Sequence, residues 1–207
     1  LPLLTEDILT LLPIVSETPV IVVAHDWGGP VGWSVAHSPE AHIAGLLAVN
    51  GPHPMRFAEL FETDPEQRAA SSYMELFRSE AAETIMTPEY LAENLFGFLG
   101  EEDLVMYKEA WSQPGAITGG LNWYRANTPL DPVVIAASME GMLDEIPVPV
   151  SVMWGLDDTA VLPQNAEGLD QYAPDLEVET LEGVDHWIEH RVPEEVARGV
   201  RELAARI

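Results

Sequence analysis

Three residues that lie far apart in this sequence could together carry out nucleophilic catalysis: Asp26, Asp158 and His186. A carboxylate can attack an electrophilic carbon, and a histidine oriented by a second carboxylate can remove a proton from water. Asp157 and His190 lie close by in the sequence and could compete for the roles of the second acid and the base. The chemistry therefore depends on which of these side chains the fold brings together.

The segment His25-Asp26-Trp27-Gly28-Gly29 directly follows the β-branched run Val20–Val23. Small residues on both sides of a polar centre are typical of a nucleophile elbow, a sharp turn from a strand into a helix. We expect Ala24, Gly28 and Gly29 to let the strand and the helix approach each other closely. The alternative, an Asp26 that only caps a helix, would not require two glycines after it.

Apolar runs bounded by turn residues predict a strand-and-helix architecture in which the three candidate residues could meet. The predicted strands are 20–24, 46–50, 148–154 and 176–181, and the predicted helices beside them are 3–15, 30–37, 163–172 and 193–206. Strands joined through helices pair in parallel, so the residues that follow them lie on one edge of the sheet. Asp26 follows the first strand, Asp158 the third and His186 the fourth.

Between the second and third strands, the sequence has helical and irregular segments rich in aromatic residues and no run typical of a strand. This pattern predicts a helical insertion in a single α/β domain. We expect residues 1–54 to form the core with the elbow, residues 55–131 a helical cap, and residues 132–207 the core with the second acid and the histidine.

The composition excludes several classes of function. The chain has 35 acidic and 9 basic residues and a net charge of −26, so we expect neither nucleic acid nor an anionic membrane as a partner. We hypothesise that this acidity is an adaptation to high salt, which screens self-repulsion; an ordinary acidic protein is the alternative. A melting temperature that does not rise between low and molar salt would contradict the hypothesis.

Metal and membrane functions also have little support in the sequence. There is no cysteine, and the six histidines show no HExxH spacing, so we expect neither a metal nor another cofactor. No apolar run is long enough to span a membrane, and the first residues lack the basic segment of a signal peptide. We therefore expect a cytoplasmic protein.

The ordered motifs resemble the α/β-hydrolase superfamily and, within it, the soluble epoxide hydrolases, which use an Asp nucleophile. The matching segments are His25-Asp26-Trp27-Gly28-Gly29 with Trp33, Leu121-Asn122-Trp123-Tyr124-Arg125, Trp154-Gly155-x-x-Asp158 with Pro163, and His186-Trp187 with Pro193. The resemblance implies a mostly parallel sheet with a helical lid. The Gly-x-x-Asp spacing of these proteins favours Asp158 over Asp157.

The resemblance also implies a reaction in which Asp26 opens an epoxide and becomes an alkyl-enzyme ester. His186, oriented by Asp158, would activate the water that hydrolyses the ester to a vicinal diol. Two lid tyrosines, Tyr124 and Tyr73, would protonate the ring oxygen, although tyrosine often serves only in packing. The backbone N–H of Trp27 would supply half of an oxyanion hole.

Two features depart from the family. Asp185 precedes His186 where the family usually has Gly, and its carboxylate is expected to raise the pKa of the histidine. The family also carries strands and an oxyanion loop ahead of the elbow, which here begins near residue 25. We expect either a fragment of a longer enzyme or a short protein whose sheet edge is covered by a partner, such as a second copy.

Two other functions are compatible with the same residues. A haloalkane dehalogenase also uses Asp followed by Trp, with indole N–H groups binding the halide; Trp27 and either Trp111 or Trp123 could supply them. The Tyr124-Arg125 pair favours epoxides over halides as the small apolar substrate. A catalytically silent, truncated module is the third possibility, favoured by the missing oxyanion loop and opposed by the complete set of acids and histidine.

Overall fold

The computed structural model describes residues 1–127, 132–140 and 143–207. Its described strands are β1 Val20–His25, β2 Ile43–Val49, β3 Val150–Gly155 and β4 Leu176–Leu181. They form a sheet in the order β1-β2-β3-β4, and each neighbouring pair is parallel. The register aligns His25 with Val49, Val49 with Met153, and Met153 with Glu179. The carboxyl ends of the strands therefore lie along one edge, as the predicted α/β fold requires.

The helices are α1 Pro2–Val15, α2 Gly28–Ala36, α3 Pro54–Thr63, α4 Pro65–Ala70, α5 Tyr73–Arg78, α6 Ala82–Ile85, α7 Pro88–Asn94, α8 Glu101–Trp111, α9 Ala116–Ala126, α10 Pro132–Ser138, α11 Ile188–Arg191 and α12 Pro193–Ala205. None of the described helices combines the length and the apolar character needed to cross a membrane. The predicted helix 163–172 is instead two short 3-10 segments, Pro163–Ala166 and Leu169–Gln171. Gly168, with φ of +70°, separates them because a left-handed residue cannot continue a helix.

The chain divides into two compact units. The first, Leu1–Ala70 with Leu130–Ile207, contains the sheet; the second, Ser71–Pro129, contains α5 to α9. Helices α3 and α4 belong to the first unit, although all of their residues except Pro54 lie within the range 55–131 that we expected for the cap. The physical reason is that α3 buries its apolar side against α2 and α10. The expected end of the cap, at residue 131, lies outside the described residues.

The core of the first unit lies around β2, whose residues Leu46 to Val49 are almost completely buried. Helix α12 packs on β2 and β3 through Leu203, which joins a cluster with Leu47, Val49, Met153 and Ile188. Burial of each such aliphatic side chain contributes roughly 1.5–3 kcal/mol. This packing gives the loops at the carboxyl ends of the strands a rigid support.

Candidate active site

Asp26 follows β1 at a sharp turn, and its φ of 49° is in the left-handed region. Non-glycine residues rarely adopt this region, and Asp is among those that tolerate it best. Helix α2 begins two residues later, and a side chain at Gly29 would overlap the backbone of Gly51 at the end of β2. A side chain at Gly28, by contrast, would meet nothing within 4 Å, so only the second glycine of the motif serves close packing.

Asp158 lies in the loop after β3, and its side chain is completely buried. One carboxylate oxygen, Oδ1, accepts hydrogen bonds from the backbone N–H groups of Ala160 and Val161, at 2.8 and 2.9 Å. The other, Oδ2, lies 2.7 Å from Nδ1 of His186. Asp157, the competing acid, is exposed. The structure thus pairs the histidine with the acid that the Gly-x-x-Asp spacing favours.

His186 lies between two carboxylates. Because Nδ1 donates to Asp158, the opposite ring nitrogen Nε2 faces Asp26, whose Oδ1 is 3.4 Å away. The side chain of His186 is 12% exposed and that of Asp26 is 35% exposed. The buried acid, the imidazole and the more accessible acid therefore form a line that ends at a reachable carboxylate.

The interactions among these three side chains raise the pKa of His186 and lower that of Asp26. Burial alone would lower the pKa of His186, but hydrogen bonds to Asp158 and Asp26, and their negative charges, raise it to about 10. Burial alone would raise the pKa of Asp26, but hydrogen bonds from His186 and from the backbone N–H of Trp27 hold it below its ordinary value. With Asp26 ionised, His186 is an imidazolium at neutral pH.

Asp185, which we expected to raise the pKa of His186, interacts with this histidine but is not the main cause of its high pKa. The Asp185 carboxylate binds Arg191, with Oδ2 2.6 Å from Nη2, and accepts the backbone N–H of Trp187. Burial would raise the pKa of Asp185, but the hydrogen bonds from these two partners and the charges of Arg191 and His186 lower it. The high pKa of His186 arises mainly from Asp158 and Asp26, which form hydrogen bonds with it, while Arg191 offsets much of the charge of Asp185.

His25, which directly precedes Asp26, contacts the loop that carries His186. Nε2 of His25 lies 2.9 Å from the backbone carbonyl oxygen of His186, and this contact requires an N–H donor on the His25 ring. The two ring centroids are 4.7 Å apart. His25 therefore ties the end of β1 to the loop that carries the histidine.

Gln67 of α4 was missed altogether by the sequence analysis. Its side chain is buried, donates to the carbonyl of Ala160, and accepts from the backbone N–H of Leu162 and from Asn165. Gln67 thus fixes the loop whose amides hold Asp158. No local signal marks it, because an isolated Gln on a short helix resembles any exposed polar residue.

The two tyrosines of the expected site, Tyr73 and Tyr124, are neighbours in the second unit. Their ring centroids are 6.1 Å apart at an interplanar angle of 79°, and both rings contact Phe77. Arg125 forms a bidentate ion pair with Glu83 at 2.6 and 2.7 Å, which ties α9 to α6. The Tyr-Arg segment therefore combines an aromatic pair with an anchor for its helix.

No described group of three or more His, Asp or Glu side chains could hold a metal ion.

Residues 3–199 match the model of the alpha/beta hydrolase family, and the chain belongs to this family. It is 31% identical over 203 residues to the AB hydrolase superfamily protein YfhM of Bacillus subtilis, covering 92% of this chain and 67% of that protein. It is also 31% identical over 204 residues to epoxide hydrolase 2 of Caenorhabditis elegans, covering 92% of this chain but only 56% of that protein.

Solved structures show the same fold. The Bacillus megaterium epoxide hydrolase in complex with an inhibitor is 25% identical, with a TM-score of 0.81 over 97% of this chain and 74% of that one.

A haloalkane dehalogenase of Sphingobium indicum is a more distant relative, 25% identical over 200 residues, covering 91% of this chain and 65% of that protein. The resemblance to α/β hydrolases and to their epoxide hydrolases is thus confirmed, and this chain spans part of each relative.

Proposed function

We propose that this chain carries the catalytic machinery of an epoxide hydrolase that opens small apolar epoxides to vicinal diols through a covalent ester on Asp26. The observation that carries the proposal is the line Asp26–His186–Asp158, with distances of 3.4 and 2.7 Å, at the carboxyl edge of the sheet. The relatives named epoxide hydrolases add support. The cytoplasmic location and an oligomer that covers the sheet edge stay predictions.

In the first step, a carboxylate oxygen of Asp26 forms a bond to a ring carbon while the bond from that carbon to the ring oxygen breaks. The low pKa of Asp26 keeps it ionised and able to attack at neutral pH. The ring oxygen leaves as an alkoxide unless it receives a proton, and we assign that donation to Tyr124 and Tyr73. Their adjacent hydroxyl-bearing rings are the described feature that suits this part.

In the second step, Nε2 of His186 takes a proton from water, and the resulting hydroxide attacks the ester carbonyl. The N–H of Trp27, already bonded to the Asp26 carboxylate, would stabilise the oxyanion. Collapse of this intermediate releases the diol and restores the carboxylate, while Asp158 stabilises the imidazolium that forms. With the Asp26 charge restored, His186 keeps this proton as an imidazolium, and the tyrosine regains its own proton from solvent.

The first step would itself prepare the base for the second. An ester is neutral, so alkylation removes the Asp26 charge that helps to raise the pKa of His186 above its ordinary value. The pKa of His186 therefore falls when the ester forms. His186 can then release its proton to solvent and, as a neutral imidazole, accept a proton from water in the second step.

Haloalkane dehalogenation is the second candidate, supported by the dehalogenase relative and by Trp27 directly after Asp26. It needs a second indole N–H for the halide. Trp111 packs in an aromatic cluster with Phe96 and Tyr107, whereas the Tyr73–Tyr124 pair suits an oxygen leaving group. We therefore place epoxide opening first.

The test is turnover of styrene oxide in oxygen-18 water. In a single turnover with excess enzyme, the diol should contain no label, because its new oxygen comes from the Asp26 carboxylate. Label should enter Asp26 and appear in the diol on later turnovers. Asp26→Asn should form no diol, while Asp157→Asn, a matched change at the exposed neighbouring acid, should retain turnover.

Other results would redirect the assignment. Halide release from 1,2-dibromoethane without diol formation from styrene oxide would favour the dehalogenase. Label in the diol during the first turnover would contradict a covalent ester. No turnover of either substrate by a folded chain would favour the catalytically silent module.

A further inference from the structure

Asn50 follows β2 directly, at the same edge of the sheet as the acids and the histidine. It is completely buried, and its φ of 39° makes it, with Asp26, one of two described non-glycine residues in the left-handed region. Its side-chain Nδ2 lies 2.5 Å from Oδ2 of Asp158, the same oxygen that accepts from His186. A strained, buried amide thus contacts Asp158, the acid that pairs with Nδ1 of His186.

The orientation of this amide follows from its partners. Oδ1 of Asn50 lies 2.9 Å from the backbone N of Gly155, and an N–H can only donate, so the amide oxygen must face it. The NH₂ group must then face Asp158. Both contacts are satisfied in only one amide orientation, so Asn50 is a directed donor to the carboxylate.

We propose that Asn50 is a positioning residue that fixes Asp158 and limits how strongly this acid holds the proton of His186. This role rests on the proposed function, since it acts on the hydrolysis of the ester. Asp158 Oδ2 is shared between two donors, and each bond that it accepts spreads its negative charge. Without Asn50, the carboxylate is both more mobile and more strongly attractive to the imidazolium.

The proposal predicts a selective kinetic defect. Asn50 has no contact with Asp26 among the described hydrogen bonds, so the alkylation step should change little. Hydrolysis should slow about 10–100-fold, which corresponds to one hydrogen bond to a charged group. The pH–rate profile of hydrolysis should also change: its acid side should move to higher pH, because His186 would hold its proton more strongly. The titratable groups around His186 are Asp26, Asp158, His25 and the adjoining Asp185.

Two substitutions separate this role from a structural one. Asn50→Gly keeps the left-handed backbone without strain but removes the amide. Asn50→Asp keeps an oxygen for the N–H of Gly155 but places a carboxylate oxygen against Asp158. If Asn50 only supports the left-handed backbone, the Gly variant should hydrolyse the ester normally. If Asn50 only joins β2 to β3 through the N–H of Gly155, the Asp variant should hydrolyse the ester normally. We expect both to be defective in hydrolysis, and normal hydrolysis by either folded variant would overturn the proposal.

The measurements are pre-steady-state rates of ester formation and decay with styrene oxide from pH 5 to 9, and titration of His186 by NMR. Asn94→Asp, the same change on exposed α7, is the control and should leave both unchanged. The NMR titration needs no turnover: a raised pKa of His186 in the Gly variant, which adds no charge, supports the role even if no epoxide is hydrolysed. An unchanged pKa in the folded Gly variant contradicts it independently of the proposed function.

Discussion

His186 and the pair formed by His37 and His53 are all largely buried in the first unit, but their surroundings differ. His186 lies between two carboxylates. The other two contact each other, with their Nε2 atoms 3.0 Å apart, and no described ion pair includes either of them. Instead, His53 stacks on Tyr172 with ring centroids 3.8 Å apart, and Trp33 packs against its edge.

Hydrogen bonds define the protonation of this pair. Nδ1 of His37 lies 2.6 Å from the carbonyl of Leu143 and must donate, so in the neutral ring Nε2 accepts. Nδ1 of His53 accepts the backbone N–H of Met55, so its Nε2 donates to His37. Adding a proton to either ring would bring two N–H groups face to face.

The two regions therefore shift the same side chain in opposite directions. Burial lowers the pKa of His37 and lowers that of His53 well below 6.5, whereas the two acids raise that of His186 to about 10. Burial alone makes a histidine neutral, and its neighbours decide whether it becomes a cation. A candidate base is thus recognised by what faces both ring nitrogens.

The largest effect that separates the regions is on turnover. His186→Gln should slow diol release by about 10²–10⁴-fold, the range for losing a general base, and should let the alkyl-enzyme accumulate. Mass spectrometry of the intact protein after mixing with styrene oxide measures the adduct. His53→Gln, which removes a buried imidazole away from the two acids, should leave turnover per folded molecule unchanged; an equal loss would erase the functional distinction.

The pH dependence of stability should have opposite signs. The folded-state pKa of His186, about 10, exceeds its ordinary value of 6.5, so its stabilisation is present below pH 6.5 and is lost as pH rises toward 10. The pKa values of His37 and His53 are lowered, so their contribution is lost as pH falls below 6.5. One unit of pKa corresponds to about 1.4 kcal/mol, so the alkaline loss should reach a few kcal/mol.

Urea unfolding at several pH values measures these losses. His186→Gln should flatten the alkaline side of the stability curve, and the double variant His37→Leu/His53→Leu should flatten the acidic side. Flattening of the same side by both would show that the two regions do not differ in charge.

The next largest expected effect is the loss of folding stability when the neutral pair of His37 and His53 is broken. His53→Leu leaves Nε2 of His37 without its donor in the core and should lower the free energy of unfolding by about 1–3 kcal/mol. Urea denaturation at pH 8 measures this change. His42→Leu, at a partly exposed histidine, should change the free energy by less than about 0.5 kcal/mol, and similar values for both would contradict the pairing.

The smallest expected effect is that of Asp185→Asn. Because Arg191 offsets much of the charge of this acid, the acid side of the pH–rate profile of ester hydrolysis should move much less than in the Asn50 variants. The ion pair is partly exposed, so its loss should cost no more than about 1 kcal/mol. A shift of this acid side to lower pH as large as the shift expected in the Asn50 variants would make Asp185 a main cause of the high pKa of His186.

Much of the fold could be predicted because the pattern of each element agrees with its environment. Leu176–Leu181 was predicted with the bounds that β4 has, and the elbow followed from small residues after a β-branched run. Parallel strands were enough to bring three distant residues to one edge. The Gly-x-x-Asp spacing of the resembling family then favoured Asp158 over Asp157, two neighbours that burial distinguishes but periodicity does not.

What could not be predicted depends on contacts between segments that are distant in sequence. Asn50 looks like the turn residue that it also is, and its bond to Asp158 spans 108 positions. The balance between Asp185 and Arg191 depends on side-chain geometry that charge counting cannot provide. The assignment of α3 to the first unit was missed because an amphipathic pattern identifies a buried face but not its partner.

The strands β2 and β3 are adjacent in space, yet Val49 and Val150 are separated by the whole second unit. Closing a longer connection costs only about 0.6 kcal/mol for each doubling of its length. Evolution or protein engineering could therefore replace or enlarge this intervening segment with little thermodynamic penalty on the sheet. Chimeras that graft the segment of one relative onto the sheet of another should therefore keep the sheet folded.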